Sequence, residues 1–205
     1  AAEEVKKAVK LMKKAKRPII YGGGGLINSG PEASEKLREL VAQTGWPSTL
    51  TLMGLGVLSA DDPHFLGMLG MHGTYEANMA MHDCDLMLCI GARFDDRITG
   101  KIDEFSPKSK KVHVDIDATS INKNVEVDLS IIADCGKFLN EVLKIMENRN
   151  NKFQSYDLWW KQIDSWKKVN CLQYKANSDV IMPQYAIQRL YELTKNKDTF
   201  ITTEV

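Results

Sequence analysis

The sequence predicts an α/β fold, a Rossmann-like parallel sheet with helices on both faces. Short apolar segments typical of buried strands alternate with segments of helical periodicity over residues 1–148. A polar, turn-like segment at 148–152 then interrupts the alternation, as expected at a domain boundary. We therefore predict a first domain over residues 1–148, a helical linker over 149–182, and the start of a second α/β domain over 183–205.

Each predicted element of the first domain has a local cause. Pro18 ends the first helix because proline lacks a backbone donor, and Gly45 stops the second helix. The strands are runs of apolar residues, whereas the helices carry apolar residues every three or four positions. In chain order, we predict a helix over 3–16, a strand over 18–21, a helix over 32–44, a strand over 47–52, a helix over 74–81, strands over 85–90, 111–116 and 129–133, and a helix over 136–147.

Beyond the boundary the sequence becomes aromatic and then strand-like. A helix predicted over 153–174 contains Trp159, Trp160 and Trp166, which we interpret as core or interdomain packing. Pro183 suits the first turn of a further helix over 183–193.

Neither end of the chain has the features expected at the natural end of a protein. The chain opens on a helix without an initiator methionine, and the strand-like run at 199–205 has no following residues to pair with it. We therefore expect the chain to be part of a longer polypeptide.

The composition argues against several classes of partner. Lys plus Arg and Asp plus Glu are equal at 27 each, so the charge gives no support for nucleic acid or an anionic membrane. No apolar run has the length of a membrane span, and no signal peptide opens the chain. Cys84, Cys89, Cys135 and Cys171 lack C-x-x-C spacing, so we interpret them as reduced, buried thiols of an intracellular protein. The expected location is cytoplasmic for a bacterial source and organellar for a eukaryotic one.

Two loop clusters are expected to face a ligand from the same edge of the sheet. The strand at 85–90 leads into a charged loop at 91–97, and Met71, His72 and Gly73 precede a predicted helix. In open α/β sheets, ligands bind at the carboxyl ends of the strands. We therefore expect the two clusters to lie close together.

The glycine turn at 22–25 has two interpretations. Gly23, Gly24 and Gly25 allow the backbone to approach a ligand closely. They do not form the G-x-G-x-x-G motif, because no further glycine opens a helix at the required offset. The residues alone leave a phosphate or ribose contact and a plain tight turn about equally favoured.

His72 and Met71 also have more than one possible role. His72 is a candidate metal ligand, base or cofactor-orienting group, but no second His or Cys stands at ligand spacing, so no metal site is predicted. A structural histidine and a core methionine are the alternatives. His64, His82 and His113 lack a comparable context and are interpreted as structural.

The loop at 91–97 contains the most distinctive group of charged residues in the chain. Arg93, Asp95, Asp96 and Arg97 are either an exposed ion-pair loop of little energetic weight or a grip for an anionic group. Guanidinium groups fit phosphates and carboxylates, which favours the second alternative at the end of a strand.

Three further aspartates follow predicted strands. Asp115 ends the fourth predicted strand, where a carboxylate suits a ribose or ribityl hydroxyl. Asp117 is interpreted as a helix cap. Asp134 fits either role.

Two motifs carry a resemblance to a known family. LGMHGTYEAN at 69–78 and GARFDDRITG at 91–100 together closely resemble the central domain of the acetohydroxyacid synthase large subunit, a thiamine diphosphate enzyme that also binds FAD. The resemblance extends over nearly the whole chain through RPIIYGGGG at 17–25, TLTLMGLG at 49–56, HVDID at 113–117, INKN at 121–124, MPQYA at 182–186 and ITTEV at 201–205.

The resemblance implies roles for individual residues. It places Met71, Asp96 and Arg97 at a substrate channel, where Met71 and Arg97 help to select the second 2-keto acid, and it gives Val205 a thiamine diphosphate contact. It implies no catalytic residue and no metal ligand in this chain. The implied FAD contacts are Gly23, Gly24, Gly25, Thr51, Leu52, Leu69, Gly70, Met71, His72, Gly91, Ala92, Arg93, Phe94, Asp95, Asp115, Ile116, Asp134 and Cys135.

The resemblance also implies a reaction. The intact enzyme would decarboxylate pyruvate on thiamine diphosphate with Mg²⁺ and join the resulting hydroxyethyl group to a second pyruvate or to 2-ketobutyrate. This reaction begins branched-chain amino-acid synthesis, and FAD would have a structural role in it. Expected partners are further large subunits, in a homodimer or homotetramer, and a regulatory small subunit.

Two alternatives to this interpretation are kept. The family's catalytic glutamate and its GDG metal and diphosphate motif belong to domains not found in this sequence, so we expect the chain alone to be inactive. One alternative is the central domain of another thiamine enzyme, a glyoxylate carboligase or a pyruvate oxidase. The other is a stand-alone nucleotide-binding or regulatory module, against which the unfinished run at 199–205 argues.

Overall fold

The chain folds around a six-stranded parallel sheet. The structure is a computed structural model that describes residues 2–147, 153–176 and 179–202. The strands lie in the order β3-β2-β1-β4-β5-β6, and every neighbouring pair is parallel. Their bounds are β1 Pro18–Gly22, β2 Ser48–Leu50, β3 Phe65–Met68, β4 Leu86–Ile90, β5 Lys110–Asp115 and β6 Leu129–Ile132.

Helices connect the strands and follow the last of them. Short 3₁₀ turns at Leu52–Gly54, Ile102–Glu104 and Ala118–Ser120 add to the connections. The α-helices are α1 Ala2–Lys14, α2 Gly24–Asn28, α3 Pro31–Thr44, α4 Tyr75–Asp83, α5 Asp96–Thr99, α6 Cys135–Met146, α7 Asp157–Lys167 and α8 Pro183–Thr194. Strands and helices alternate as predicted, and the α/β class is confirmed.

The sheet changes direction between β1 and β4. From β1 the chain moves outward through β2 to β3, and α4 then carries it back to the other side of β1, where β4 lies. Right-handed crossovers in opposite directions place α3 and α4 on opposite faces of the sheet. The carboxyl ends of β1 and β4 therefore flank the topological switch point, the usual ligand position in such sheets.

The two central strands are apolar because both of their faces are covered. Every residue of β1 and β4 is buried. The edge strand β6 instead alternates, with Ile131 inside and Ile132 exposed. Hydrophobic runs therefore sufficed to predict the centre of the sheet.

Some elements differ from the sequence prediction. β3 was not predicted, because Phe65–Met68 has only four residues and Gly67 takes a φ of +91° within it. The short helices α2 and α5 were also missed, since a helix of so few residues shows no apolar periodicity. The aromatic helix is shorter than 153–174, and α7 ends at Lys167.

The aromatic helix α7 belongs to the first compact unit, which extends through Val169. Trp159 Nε1 donates to the carbonyl of Pro18 (2.9 Å), and Trp160 Nε1 donates to that of Gly45 (2.8 Å). These bonds confirm the packing role given to the tryptophans. The first compact unit thus extends beyond the boundary predicted at 148, because side chains of α7 hold it to the sheet domain. The predicted division into a first domain, a linker and the start of a second domain stays a prediction.

The second unit, residues 170–205, contains one described helix. Tyr174 donates to Gln188 of α8 (2.8 Å), and Pro183 occupies the first turn of that helix as predicted. The described part of the run at 199–205, up to residue 202, forms no strand. Val205 lies outside the described residues, so its predicted contact stays a prediction.

The cysteines divide between the two units. Cys84, Cys89 and Cys135 are buried as predicted, and burial raises the pKa of Cys84 to about 12. Cys171 is exposed, because it lies in an irregular part of the second unit, and the expectation of a buried thiol is wrong for it. Within the described residues, no helix combines the length and apolarity that crossing a membrane requires.

Candidate functional site

The loops after β1 and β4 cross in backbone contact at the switch point. Gly23 N donates to Ile90 O (3.0 Å), and Gly25 N donates to Gly91 O (2.9 Å). A Cβ atom on Gly23 would lie 2.3 Å from Gly91 O. Gly91 also needs a left-handed backbone, with a φ of +61°. The glycines at 23–25 therefore serve a close loop crossing, which settles neither interpretation of their ligand contact.

The loop after β2 adds an apolar margin to the same edge. Thr51 N donates to Gly22 O (2.9 Å), and the Thr51 side chain caps the Leu52–Gly54 turn by accepting from Gly54 N. Leu52 and Met53 are exposed on this turn. An apolar surface of this kind beside polar loops suits a ligand with a flat aromatic ring.

The two loop clusters singled out in the sequence lie side by side. Met71 N donates to Arg97 O (3.0 Å), and a Cβ on Gly70 would lie 2.7 Å from the same carbonyl. Asn78 holds the Gly70 end, since its amide accepts from Gly70 N and donates to Gly70 O, each at 3.0 Å. The expected convergence of these clusters is confirmed.

Met71 and His72 are both exposed at the tip of this junction. Met71 is 61% exposed, which removes the alternative of a core methionine. His72 is exposed as well, so it is not a buried core histidine, and its role toward a ligand stays a prediction. No group of three metal-ligating side chains occurs in the described part of the chain.

The charged loop after β4 presents both arginines to the surface. The Arg93 side chain is 74% exposed and lies 3.6 Å from Asp95, a weak ion pair that leaves the guanidinium accessible. Asp95 caps α5 by accepting from Arg97 N (3.2 Å), while Asp96 and Arg97 are exposed. The loop thus offers cationic side chains at the strand end.

Phe94 anchors the middle of this loop in the core. Its ring lies 5.1 Å from that of His113 and 5.8 Å from that of Phe105, and only 4% of the residue is exposed. Ala92 and Leu69 are buried as well. Any contact that these three residues make with a ligand would come from the backbone.

The aspartates at the ends of β5 and β6 have structural partners. Asp115 accepts from Asp117 N (2.9 Å), and Asp117 caps the Ala118–Ser120 turn as predicted. Asp134 caps α6, and its hydrogen bonds from Lys137 N and then Ser29 Oγ lower the pKa of its carboxyl. The capping role of Asp134 is thus present, and the ribose or ribityl contacts of Asp115 and Asp134 stay predictions.

The neighbours of these aspartates differ in exposure. Ile116 is 71% exposed, whereas Cys135 is buried against Gly91, and burial raises the pKa of its thiol to about 11. An open pocket lies between the loops after β4 and β5. It is lined by Arg93, Phe94, Asp95, Ser120, Lys123 and Asn124.

Several residues that shape the site were not identified from the sequence. Asn78 hydrogen-bonds to the backbone of Gly70, and Asn124 Nδ2 donates to Phe94 O (2.6 Å). His113, interpreted as structural, contacts Ala92 O through Nε2 (2.9 Å). The asparagines could have been suspected from their places in the LGMHGTYEAN and INKN motifs, but the register that aims His113 is a property of the folded sheet.

The strand order, the switch point and the crossing glycine loops define a Rossmann-like α/β domain, a class in which ligands usually lie at the switch point. Comparison with known proteins narrows this class, since residues 5–142 match the thiamine pyrophosphate enzyme central domain. The chain belongs to this family of thiamine pyrophosphate enzymes.

The relatives of the chain carry a more specific name. It is 44% identical over 202 residues to the acetolactate synthase large subunit of Buchnera aphidicola subsp. Schizaphis graminum, covering 98% of this chain and 35% of the relative. It is 40% identical over 204 residues to the acetolactate synthase isozyme 3 large subunit of Escherichia coli, with the same coverage. It is 45% identical over 199 residues to chloroplastic acetolactate synthase 1 of Zea mays, covering 96% of this chain and 30% of the relative. The chain is thus homologous to acetolactate synthases and spans about a third of their length.

Proposed function

We propose that this chain is the FAD-binding part of an acetolactate synthase. The observation that carries the proposal is the convergence of four strand-end loops at the switch point, fixed by the Gly25–Gly91 and Met71–Arg97 hydrogen bonds. The resemblance at 69–78 and 91–100 assigns FAD contacts to these same loops. Sequence and geometry therefore favour the same cofactor.

The residues present fit a flavin dinucleotide. The backbone N–H groups of Arg93, Phe94 and Asp95 have no acceptor within the described residues, and the Arg93 guanidinium beside them is exposed. Such donors suit the oxygen-rich diphosphate and ribityl portion of the cofactor. The exposed Leu52, Met53 and Met71 supply apolar surface for a ring system. When bound, the flavin supplies an aromatic redox-capable ring, which the proposed net carboligation does not consume.

The chain's own residues would bind and orient the cofactor and select the substrate. Arg93 would hold anionic or oxygen-rich portions of FAD, and Asp115 and Asp134 would lie near hydroxyl groups at its other end. Met71 and Arg97, joined through their backbones, would shape the entry of the second 2-keto acid. The proposal assigns no catalytic residue to this chain, so thiamine diphosphate chemistry with Mg²⁺ would depend on other residues of the enzyme.

The activity proposed for the whole protein is the condensation of two pyruvates, or of pyruvate and 2-ketobutyrate, with release of CO₂. Its proposed partners are a second copy of the large subunit and a regulatory small subunit, since several relatives are named as large subunits. The relatives come from bacteria and from chloroplasts, so the proposed location is the bacterial cytoplasm or a plant-type organelle.

Flavin titration with a charge-matched control tests the proposal. In the full-length protein we expect saturable FAD binding, and Arg93→Ala should weaken it by about 1.5 to 3 kcal/mol through loss of a charge-assisted hydrogen bond. Lys108→Ala removes a cation before β5, at the opposite edge of the sheet, and should leave FAD affinity unchanged. Absence of FAD binding by the wild type would refute the proposed cofactor, and equal binding by Arg93→Ala would remove Arg93 from the site.

A further inference from the structure

A row of buried polar side chains crosses the centre of an otherwise apolar sheet. Tyr21, Cys89 and His113 are paired in register on β1, β4 and β5, so their side chains point to the same face. All three are 0% exposed. Burial of a polar group without a hydrogen bond costs free energy, so each of them needs a partner.

Every member of this row points at a carbonyl of the loop after β4. His113 Nε2 lies 2.9 Å and Cys89 Sγ 3.3 Å from Ala92 O, and the Tyr21 hydroxyl lies 3.4 Å from Arg93 O. From the other side, Asn124 Nδ2 donates to Phe94 O at 2.6 Å. Two consecutive carbonyls of the loop therefore contact side chains of the sheet, and the third accepts from the loop after β5.

His113 is the best-defined donor of the row. Because a carbonyl oxygen can only accept, Nε2 must carry the hydrogen, and Nδ1 has no partner among the described residues. Burial lowers the pKa of His113, which keeps the ring neutral and this tautomer fixed at neutral pH. The ring of Phe94 packs against the imidazole and fixes its plane.

The engaged carbonyls determine where the neighbouring N–H groups point. In a planar trans peptide, the C=O of one residue and the N–H of the next point in opposite directions. With the carbonyls of Ala92 and Arg93 turned toward the sheet, the N–H groups of Arg93 and Phe94 point away from it, and the N–H of Asp95 points away from Asn124. These are the N–H groups that lack an acceptor within the described residues.

We propose that His113 and Asn124 are positioning residues that orient the peptides at 92–95 so that their N–H groups face the flavin cofactor. The inference rests on the proposed FAD function and adds to it the means by which the loop is prepared for its ligand. If these N–H groups are oriented before FAD binds, binding does not have to include the entropy cost of ordering the loop.

Three substitutions in the full-length protein test this role. His113→Leu removes the donor and fills its place with an apolar side chain, and we expect the Kd for FAD to rise about tenfold, as for the loss of one hydrogen bond. His113→Gln retains an N–H near the place of Nε2 and should restore affinity to within about twofold of wild type. Asn124→Ala, at an exposed position, should raise the Kd about fivefold without changing the unfolding midpoint of the FAD-free protein.

The readouts separate positioning from stability and from the proposed function. Each variant is measured for its Kd, for the visible absorbance spectrum of bound FAD, and for its unfolding midpoint without FAD. If His113→Leu does not fold, His113→Gln and Asn124→Ala decide. Wild-type affinity and spectrum in Asn124→Ala, together with a changed midpoint only in the His113 variants, would overturn the positioning role and leave the FAD proposal standing. Failure of the wild type to bind FAD would overturn both.

Discussion

At the amino edge of the sheet the loops are held by carboxylate side chains, whereas at the carboxyl edge the loops after β1 and β4 also meet through backbone contacts between glycines. Asp85 accepts from Lys16 N (2.8 Å) and Arg17 N (2.9 Å), and Asp128 accepts from Lys111 N (2.9 Å). At the other edge, Gly25 and Gly91 meet directly through their main chains. Because this crossing is made by the backbone, exposed side chains beside it, such as that of Arg93, remain available for a ligand.

The largest loss of stability is expected where a side chain is introduced between the crossing loops after β1 and β4. Gly23→Ala would place Cβ 2.3 Å from Gly91 O, and the backbone cannot move aside as a flexible side chain can. We expect a loss of about 3 kcal/mol in the free energy of unfolding, the upper range for overpacking. Urea unfolding of the chain measures it.

Gly45→Ala is the matched control for this prediction. Gly45 has a φ of +66°, but a Cβ there meets no atom within 4 Å, so only backbone strain of about 1 to 2 kcal/mol is expected. Equal losses in the two variants would show that the loop crossing is less rigid than its contacts indicate.

A smaller effect, on stability alone, is expected at the amino edge. Asp85→Ala removes two hydrogen bonds to backbone N–H groups, and we expect a cost of about 2 kcal/mol in unfolding free energy. Asp85→Asn retains one acceptor and should lose less. FAD affinity of the folded Asp85→Ala protein should match wild type, and a weakened affinity would mean that the two edges are energetically coupled.

Substitution of Asp134 is expected to lower the free energy of unfolding modestly and in a pH-dependent way. Its pKa is lowered in the folded state, so its contribution is present above the unfolded-state pKa and is lost as pH falls through the folded-state pKa. Asp134→Ala should cost about 1 kcal/mol at neutral pH through loss of the helix cap. Unfolding measured from neutral to acidic pH should show this difference shrinking, whereas Asp134→Asn should keep most of the cap throughout. A difference that does not vary with pH would contradict the assigned cause.

The smallest effect is expected at Arg97 and concerns selectivity. In the full-length protein, Arg97→Lys should lower the preference for 2-ketobutyrate over pyruvate by about threefold, because lysine lacks the planar fork that fits a carboxylate. The ratio of products formed with both keto acids present measures it. An unchanged ratio in a folded, FAD-bound variant would limit Arg97 to its structural contacts.

The centre of the fold was predictable because its causes are local. Fully apolar runs such as 86–90, and a glycine that ends a helix, such as Gly45, act within a few residues. β3 was not predictable in this way, since it is only four residues long, contains Gly67 at a positive φ, and pairs irregularly with β2. The extra length of the first unit depends on Trp159 reaching Pro18 across the fold.

The features of the candidate site were likewise predictable only where their causes are local or follow from a general rule of the fold. The approach of Met71 to Arg97 followed from the rule that strand ends meet at one edge. The burial of Phe94 and the orientation of His113 did not, because they depend on which residues of β4 and β5 are in register. Sequence motifs identified the loops, whereas the sheet determines which of their atoms face outward.

The hydrogen bond between Met71 and Arg97 has a consequence for how the site can change by mutation. Both of its atoms belong to the main chain, so it does not depend on which side chains occupy the two positions, unless proline removes the N–H of residue 71. Both side chains are also exposed, so replacing them leaves the core intact. Positions 71 and 97 can therefore change in side chain while the two loops remain joined.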